Sequence, residues 1–146
     1  MKWRFISVGK PSLQYAKGGL EEYLKRLRRS VSVEHVSVKN GPREEEQVRL
    51  LAASEGCYRM VFDERGELLT TRELAGVVTD LEMDGTVKSI ALIIGGAEGH
   101  GEAMRRAADR VISFGRLTLQ HELALVAAAE QVYRVYSLKR GEPYHR

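Results

Sequence analysis

Several absences bound this sequence before any motif is read. It has one cysteine, Cys57, so no disulfide can form within the chain and a reducing, cytoplasmic setting is expected. Cys57 itself sits beside a predicted strand and is expected to pack. No apolar run approaches the roughly 18 residues of a membrane span. The opening MKWRFISVGK has only a short apolar patch with no small-residue cleavage site after it, so neither signal peptide nor membrane partner is expected. No Cys/His cluster has metal-ligand spacing and no Ser/His/Asp set suggests a hydrolase, so no metal is expected. Linkers, repeats and low-complexity segments are also missing. The 146 residues are therefore expected to form one domain, 1–146, with a sizeable core. Charge of neither sign dominates: the net is +3 and the pI about 9.1, which permits an RNA partner without demanding one.

What is present is a regular alternation. Strands are predicted over Lys2–Val8, Val31–Val38, Tyr58–Asp63, Lys88–Ile94 and Arg110–Phe114. Helices are predicted over Leu13–Arg29, Pro42–Ser54, Thr70–Met83, Glu102–Ala108 and about Leu119–Leu138, with Arg65-Gly66 read as a turn. Pro42 and Glu44 to Glu46 suit a helix start, Thr70 or Thr71 can cap the third helix, and Asp84-Gly85 ends it. Strand–helix alternation implies an α/β fold with a parallel sheet and helices on both faces. Ligands of such sheets bind outside the carboxyl ends of the strands, where the strand order reverses.

SIALIIGGAEGHG, Ser89 to Gly101, breaks from a buried strand into glycines at that end. It lacks the Lys-Ser/Thr of a Walker loop. Its G-x-G pair ends in methionine where a dinucleotide loop has its last glycine, and Glu98 would repel a pyrophosphate. What remains is either a loop whose missing Cβ atoms let backbone approach a flat, less anionic ligand, or a plain strand-to-helix turn. The last helix is a second unusual feature. It is apolar on every side from Leu123 to Ala129, so it is buried in its own domain or against a second copy, and its alanines favour a homodimer. The chain then closes with Gly141-Glu142-Pro143 and Tyr144-His145-Arg146, groups able to stack on a base and contact phosphate.

Together, ALIIGGAEGHG, ISFGRLTLQHELAL and AAEQVYRVYSLKRGEPYHR resemble the ribosomal RNA large-subunit methyltransferase H family, of the SPOUT or trefoil-knot class. The resemblance extends to the opening ISVGK and EEYLKRL. It implies a SPOUT-type parallel sheet with a C-terminal trefoil knot, a homodimer, and S-adenosylmethionine as cofactor. It also implies methylation of N3 of a pseudouridine in 23S rRNA, with the assembled ribosome as substrate. Carried over by position, the cofactor pocket comprises Phe62, Gly95, Phe114, Gly115, Arg116, Leu117, Thr118 and Leu119. His145 becomes the base or base positioner, Tyr144 stacks on or orients the target base, and Arg134 pairs with phosphate or the developing anion, with a salt bridge to Glu130 as its plainer role. Two departures stand out. Gln120 replaces the family's proline, and Leu125 its arginine, for which Arg116 is a substitute by charge only. Two other classes fit less of the sequence: an inert ribosome-binding module on the same fold, and a flavin- or nucleotide-binding α/β enzyme.

Overall fold

In the computed structural model, which describes residues 1–145, the elements run β1 (Lys2–Val8), α1 (Gln14–Leu27), β2 (Ser32–Val38), α2 (Arg43–Ala53), β3 (Tyr58–Leu68), α3 (Thr71–Met83), β4 (Ser89–Ile94), α4 (Glu102–Ala107), β5 (Arg110–Ser113) and α5 (His121–Lys139). Arg146, offered above as a phosphate contact, lies outside the described residues. The strands form one sheet in the order β2-β1-β4-β3-β5, and every pairing is parallel. The expected parallel α/β sheet with helices on both faces is what the chain adopts.

Strand periodicity decides which helices lie where. Trp3, Phe5, Met60, Phe62, Ile90, Leu92 and Ile94 point to the face covered by α1, α3 and α5. Ile6, Val8, Val61, Ala91 and Ile93 point to the opposite face, where Leu50 of α2 and Met104 of α4 close a smaller core. The larger core contains a polar chain. Trp3 Nε1 donates to the Tyr136 hydroxyl at 2.9 Å, and that hydroxyl donates to Glu82 at 2.8 Å. One hydrogen-bonded path thus ties β1 to α5 and α3, and burial pushes the Tyr136 phenol up so that it remains a donor.

Helix ends follow their sequence signals. Thr70 and Glu73 form a reciprocal capping box at the start of α3. Glu122, at the start of α5, accepts from the Ser12 and Leu13 amides at 2.7 and 2.9 Å, which fastens the N-terminal ends of α1 and α5 together. Further along that pair, a Cβ on Gly19 would lie 2.9 Å from a methyl of Val126, so the glycine sets how closely the two helices approach. Cys57 packs against the smaller core and accepts a hydrogen bond from Ser89 at 3.3 Å.

One sequence reading needs correction. Arg65-Gly66 does not reverse the chain. β3 continues to Leu68, and Phe62 and Glu67 both pair with Ile112, so Asp63 to Gly66 bow out of the ladder between them. A Cβ on Gly66 would stand 2.7 Å from backbone atoms of both Val111 and Ile112. Glycine is required here because strand backbone lies against strand backbone.

Candidate functional site

The bow in β3, Phe62 to Arg65, and the segments that leave the carboxyl ends of β4 and β5, Ile94 to Glu102 and Phe114 to Leu119, enclose a cavity of about 480 Å³. Such a volume suits a small-molecule ligand. β3 and β4 are neighbours in the sheet, and the helices that follow them, α3 and α4, lie on opposite faces, so the cavity lies at a crevice of the kind where open α/β sheets bind ligands.

The glycine segment is folded on itself. Gly99, with φ +71°, donates its amide to the Gly96 carbonyl at 2.9 Å, a conformation costly for any residue with a Cβ. A Cβ on Gly95 would lie 3.0 Å from the Gly99 carbonyl carbon. Helix α2 braces the loop from behind. Gln47 accepts from the Gly101 and Met104 amides at 3.1 and 3.3 Å, and the buried Glu46 carboxylate stands so close that a Cβ on Gly96 would lie 3.0 Å from its Oε1. The loop therefore presents backbone to the cavity.

A small polar cluster lies beneath it. Arg105 donates to the His100 carbonyl at 2.9 Å and pairs with Asp63 at 3.4 Å. The His100 ring bonds the Ile93 carbonyl, and its Nε2 has no hydrogen-bond partner among the described residues. Burial lowers the proton affinity of His100; Asp63 and the Ile93 carbonyl counter it, and Arg105 adds to it. The sequence offered His100 and His35 no partners. His35 proves to bond Ser7 at 2.7 Å.

The third wall is the segment after β5. Ser113 donates to the Gly115 carbonyl at 2.6 Å and accepts from its amide at 3.0 Å, while Gly115 has φ +142°. Phe114 stacks on Phe62 with ring centroids 4.6 Å apart. Thr118 donates to Glu64 at 2.8 Å, tying this segment to the bow in β3. Of the residues expected at the cofactor, Phe62, Gly95, Phe114, Gly115, Leu117, Thr118 and Leu119 line the cavity. Arg116 is exposed and does not. Asp63, Glu64, His100 and Arg105, none of them expected there, do.

The residues expected to be catalytic gather elsewhere. Gly141, with φ +70°, ends α5 in a turn where Gly141 and Glu142 donate to the carbonyls of Leu138 and Ser137. The tail then folds back along the helix. Tyr144 packs edge-on against Tyr133 with centroids 4.7 Å apart, and its hydroxyl lies 3.2 Å from both the Tyr23 hydroxyl and Glu130. The Arg134 guanidinium covers the Tyr144 ring at 4.8 Å, and its Nη1 lies 3.4 Å from His145 Nδ1. Glu130 holds Arg134 within the same helix, Nε to Oε1 at 2.9 Å, which keeps the guanidinium more firmly protonated. Burial, reinforced by Tyr23 and Glu130, pushes the Tyr144 phenol up. Arg134, Tyr144 and His145 thus form one cluster, and none of them lines the cavity.

α5 divides its apolar surface. Leu125, Ala128 and Ala129 are buried in the chain's own core, while Leu123 is 40% exposed. With Leu13, Tyr15, Leu117 and Leu119, which are also exposed, Leu123 adds to an apolar surface on the segments around the N-terminal end of α5. Among the described residues no helix is long and apolar enough to cross a membrane, and no group of three His, Cys, Asp or Glu side chains is placed to hold a metal ion.

Residues 1–145 match the family model described as "Predicted SPOUT methyltransferase". The chain is 48% identical over 146 residues to a ribosomal RNA large subunit methyltransferase H from Thermus thermophilus, covering 100% of this chain and 99% of that protein. It is 38% identical over 148 residues to the protein of the same name from Deinococcus deserti, covering 100% of both. Among solved structures, a probable methylase family protein from Haemophilus influenzae superposes with a TM-score of 0.60 at 13% identity, over 99% of this chain and 70% of that one. A probable methyltransferase from Bordetella pertussis gives 0.60 at 16% identity, over 91% and 95%. These two share its fold.

Proposed function

The chain belongs to the ribosomal RNA large subunit methyltransferase H family of SPOUT methyltransferases, and from that premise we propose how its residues divide the family's reaction. The protein is an S-adenosylmethionine-dependent methyltransferase acting on N3 of a pseudouridine in 23S rRNA. It works in the cytoplasm as one SPOUT domain per chain, knotted in its C-terminal half, with the assembled ribosome as substrate. The observation that carries the reading is the cavity between the bow in β3 and the carboxyl ends of β4 and β5, walled by the backbone of the glycine loop and of Phe114 to Leu119.

The residues present fit this cofactor. The stacked Phe62–Phe114 pair and exposed backbone amides and carbonyls suit a flat, uncharged adenosine, and the carboxylates of Glu64 and Glu98 on the wall suit a positive centre. S-adenosylmethionine supplies an electrophilic methyl group on a sulfonium. Gly95 and the segment Phe114, Gly115, Leu117, Thr118 and Leu119 hold it. Arg116, which points away, is free to meet RNA.

Transfer needs donor carbon and acceptor nitrogen in line, about 3–3.5 Å apart. Arg134 lies on α5 ten residues beyond Ala124, the last residue of that helix on the cavity wall, about 15 Å along the helix at 1.5 Å per residue. One chain therefore does not bring its own tail to its own cavity. A homodimer that buries the exposed Leu13, Tyr15, Leu117 and Leu123 does so by lending the tail of one copy to the cavity of the other. In the tail, arginine has only donors, so His145 Nδ1 is the acceptor in its 3.4 Å contact with Arg134 and Nε2 is left to donate. His145 is then a donor positioned beside a cation. Together they stabilise the imide anion as the N3 proton leaves to water, while Tyr144, kept protonated, orients the base.

The test is transfer of labelled methyl from S-adenosylmethionine to ribosomes from a bacterial strain lacking this modification, with modified ribosomes as control. Label in large-subunit RNA of the unmodified particles alone is expected. Cofactor binding without label would exclude this target, and absence of both would favour a non-catalytic ribosome-binding role.

A further inference from the structure

We infer that the C-terminal turn of α1 is a phosphate-binding track for the ribosomal RNA substrate, leading directly to the catalytic tail; this rests on the reading that the substrate is rRNA. Lys25, Arg26, Arg29 and Tyr133 line a cleft of about 320 Å³ with a single carboxylate, Glu22. Arg28 follows on the same exposed turn. Several cations elsewhere are paired, and those without an ion pair among the described residues, such as Lys39, Lys88 and Arg116, stand singly in the sequence, so clustering sets the α1 turn apart. Arg4, Arg49, Arg105, Arg106, Arg110, Arg134, Lys139 and Arg140 each face a carboxylate within ion-pair distance. In the α1 turn Glu22 holds only Arg26, at 2.7 Å. Among the described residues no ion pair holds Lys25, Arg28 or Arg29. Glu22 also feels the charges of Lys25 and Arg29, so in a protein with a net charge of only +3 the four cations Lys25, Arg26, Arg28 and Arg29 share one carboxylate at one helix end.

Position completes the argument. The Arg26 guanidinium lies 5.5 Å from the ring centres of both Tyr23 and Tyr133. Those two tyrosines are the residues against which Tyr144 packs. One aromatic layer therefore separates the cationic turn from the tail assigned to the target base. Long cationic side chains neutralise backbone phosphates without reading sequence, and so fix the register of an RNA on a protein. Phosphates neighbouring the target nucleotide are the anions such a placement would meet.

The experiment compares Lys25→Glu/Arg29→Glu with Lys39→Glu/Lys88→Glu, two exposed cations elsewhere whose reversal changes net charge equally. Methyl transfer to unmodified ribosomes is measured over a range of salt, alongside S-adenosylmethionine affinity and circular dichroism. The α1 variant is expected to raise KM for ribosomes about tenfold or more, with kcat and cofactor affinity within about twofold. Its log–log salt dependence should flatten by roughly 0.7–0.9 per lost phosphate contact. The control variant should stay near wild type. A folded, active α1 variant with unchanged KM and salt dependence overturns the track alone, as does an equal loss in the control. A wild-type protein that methylates no ribosome overturns both the track and the functional reading beneath it.

Discussion

Gly66→Ala tests whether the bow in β3 and the cavity wall are mechanically one unit. The added Cβ would meet the carbonyl carbon of Val111 and the amide nitrogen and carbonyl carbon of Ile112, each at 2.7 Å. Overpacking of this kind costs about 1–3 kcal/mol. The upper end is expected, because the atoms met are strand backbone, fixed on one side by pairing and unable to rotate away. Relief requires β5 to move, and β5 runs directly into Phe114 and Gly115 on the cavity wall. For a chain of 146 residues, about 2–4 °C of Tm is lost per kcal/mol, so a fall of about 6–12 °C is expected, with weakened S-adenosylmethionine binding. The control is Gly76→Ala, in the exposed middle of α3 with no heavy atom within 4 Å. Helix propensity alone should stabilise it by about 0.8–1 kcal/mol. Urea and thermal unfolding with a cofactor titration measure all three proteins. Unfolding of Gly66→Ala within about 0.5 kcal/mol of wild type, with unchanged cofactor affinity, refutes the backbone contact and its coupling to the site.

Removing Tyr144 to Arg146 should abolish methyl transfer and leave cofactor affinity within a few-fold, as calorimetry would show; loss of cofactor binding would refute the division between tail and cavity. Glu122→Ala should lower stability by about 1–3 kcal/mol, because the Ser12 and Leu13 amides lose their acceptor; an unchanged urea midpoint would contradict this. Burial alone would raise the Glu122 pKa, but the bonds from Leu13 and Ser12 and the nearby His121 hold it below the usual carboxylate value. This stabilisation is therefore present above the ordinary glutamate pKa and lost as pH falls through the lowered one. His100 gives a second acid-side effect. Its folded-state pKa is depressed by burial below the ordinary 6.5, so the unfolded chain binds the proton first and stability falls as pH drops below about 6.5. His100→Asn should shallow that decline without removing it, since His35 is depressed by burial and Lys10 in the same direction; an unaltered profile would show that His100 titrates normally.

The elements were legible because their signals are local. Apolar runs, the Thr70–Glu73 box and glycine turns all act within a few residues, and every predicted strand and helix is present with ends shifted by a few positions. What escaped depends on distant partners. Gly66 looked like a turn residue because its requirement comes from Val111 and Ile112, on another strand. Gln47 carries no sequence mark of bracing Gly101, from which it is 54 positions removed. The cluster of Asp63, His100 and Arg105 is assembled by the sheet, and no spacing announces it. The tail motif was visible as chemistry, but its place against Tyr23 and Tyr133 depends on how α1 packs on α5, which sequence order does not state.

The two departures from the family pattern resolve differently once their surroundings are known. Gln120 has φ −59°, an angle that proline would also fix. Its side chain accepts from the Glu122 and Leu123 amides at 2.8 and 3.0 Å, so the backbone path is kept and a helix cap is added. Leu125 is 1% exposed and belongs to the larger core. A guanidinium there would be buried among apolar side chains, a costly arrangement without a partner. Position 125 is thus a packing position in this chain, and any contact with RNA must be carried by other cations. Arg116 is exposed beside the cavity without lining it. Arg134 is oriented by Glu130 and touches both Tyr144 and His145. The α1 turn supplies Lys25, Arg28 and Arg29, none of them held in an ion pair among the described residues. On the proposed reading, recognition falls to the cations of the tail, the α1 turn and Arg116, while the start of α5 is given to packing and capping.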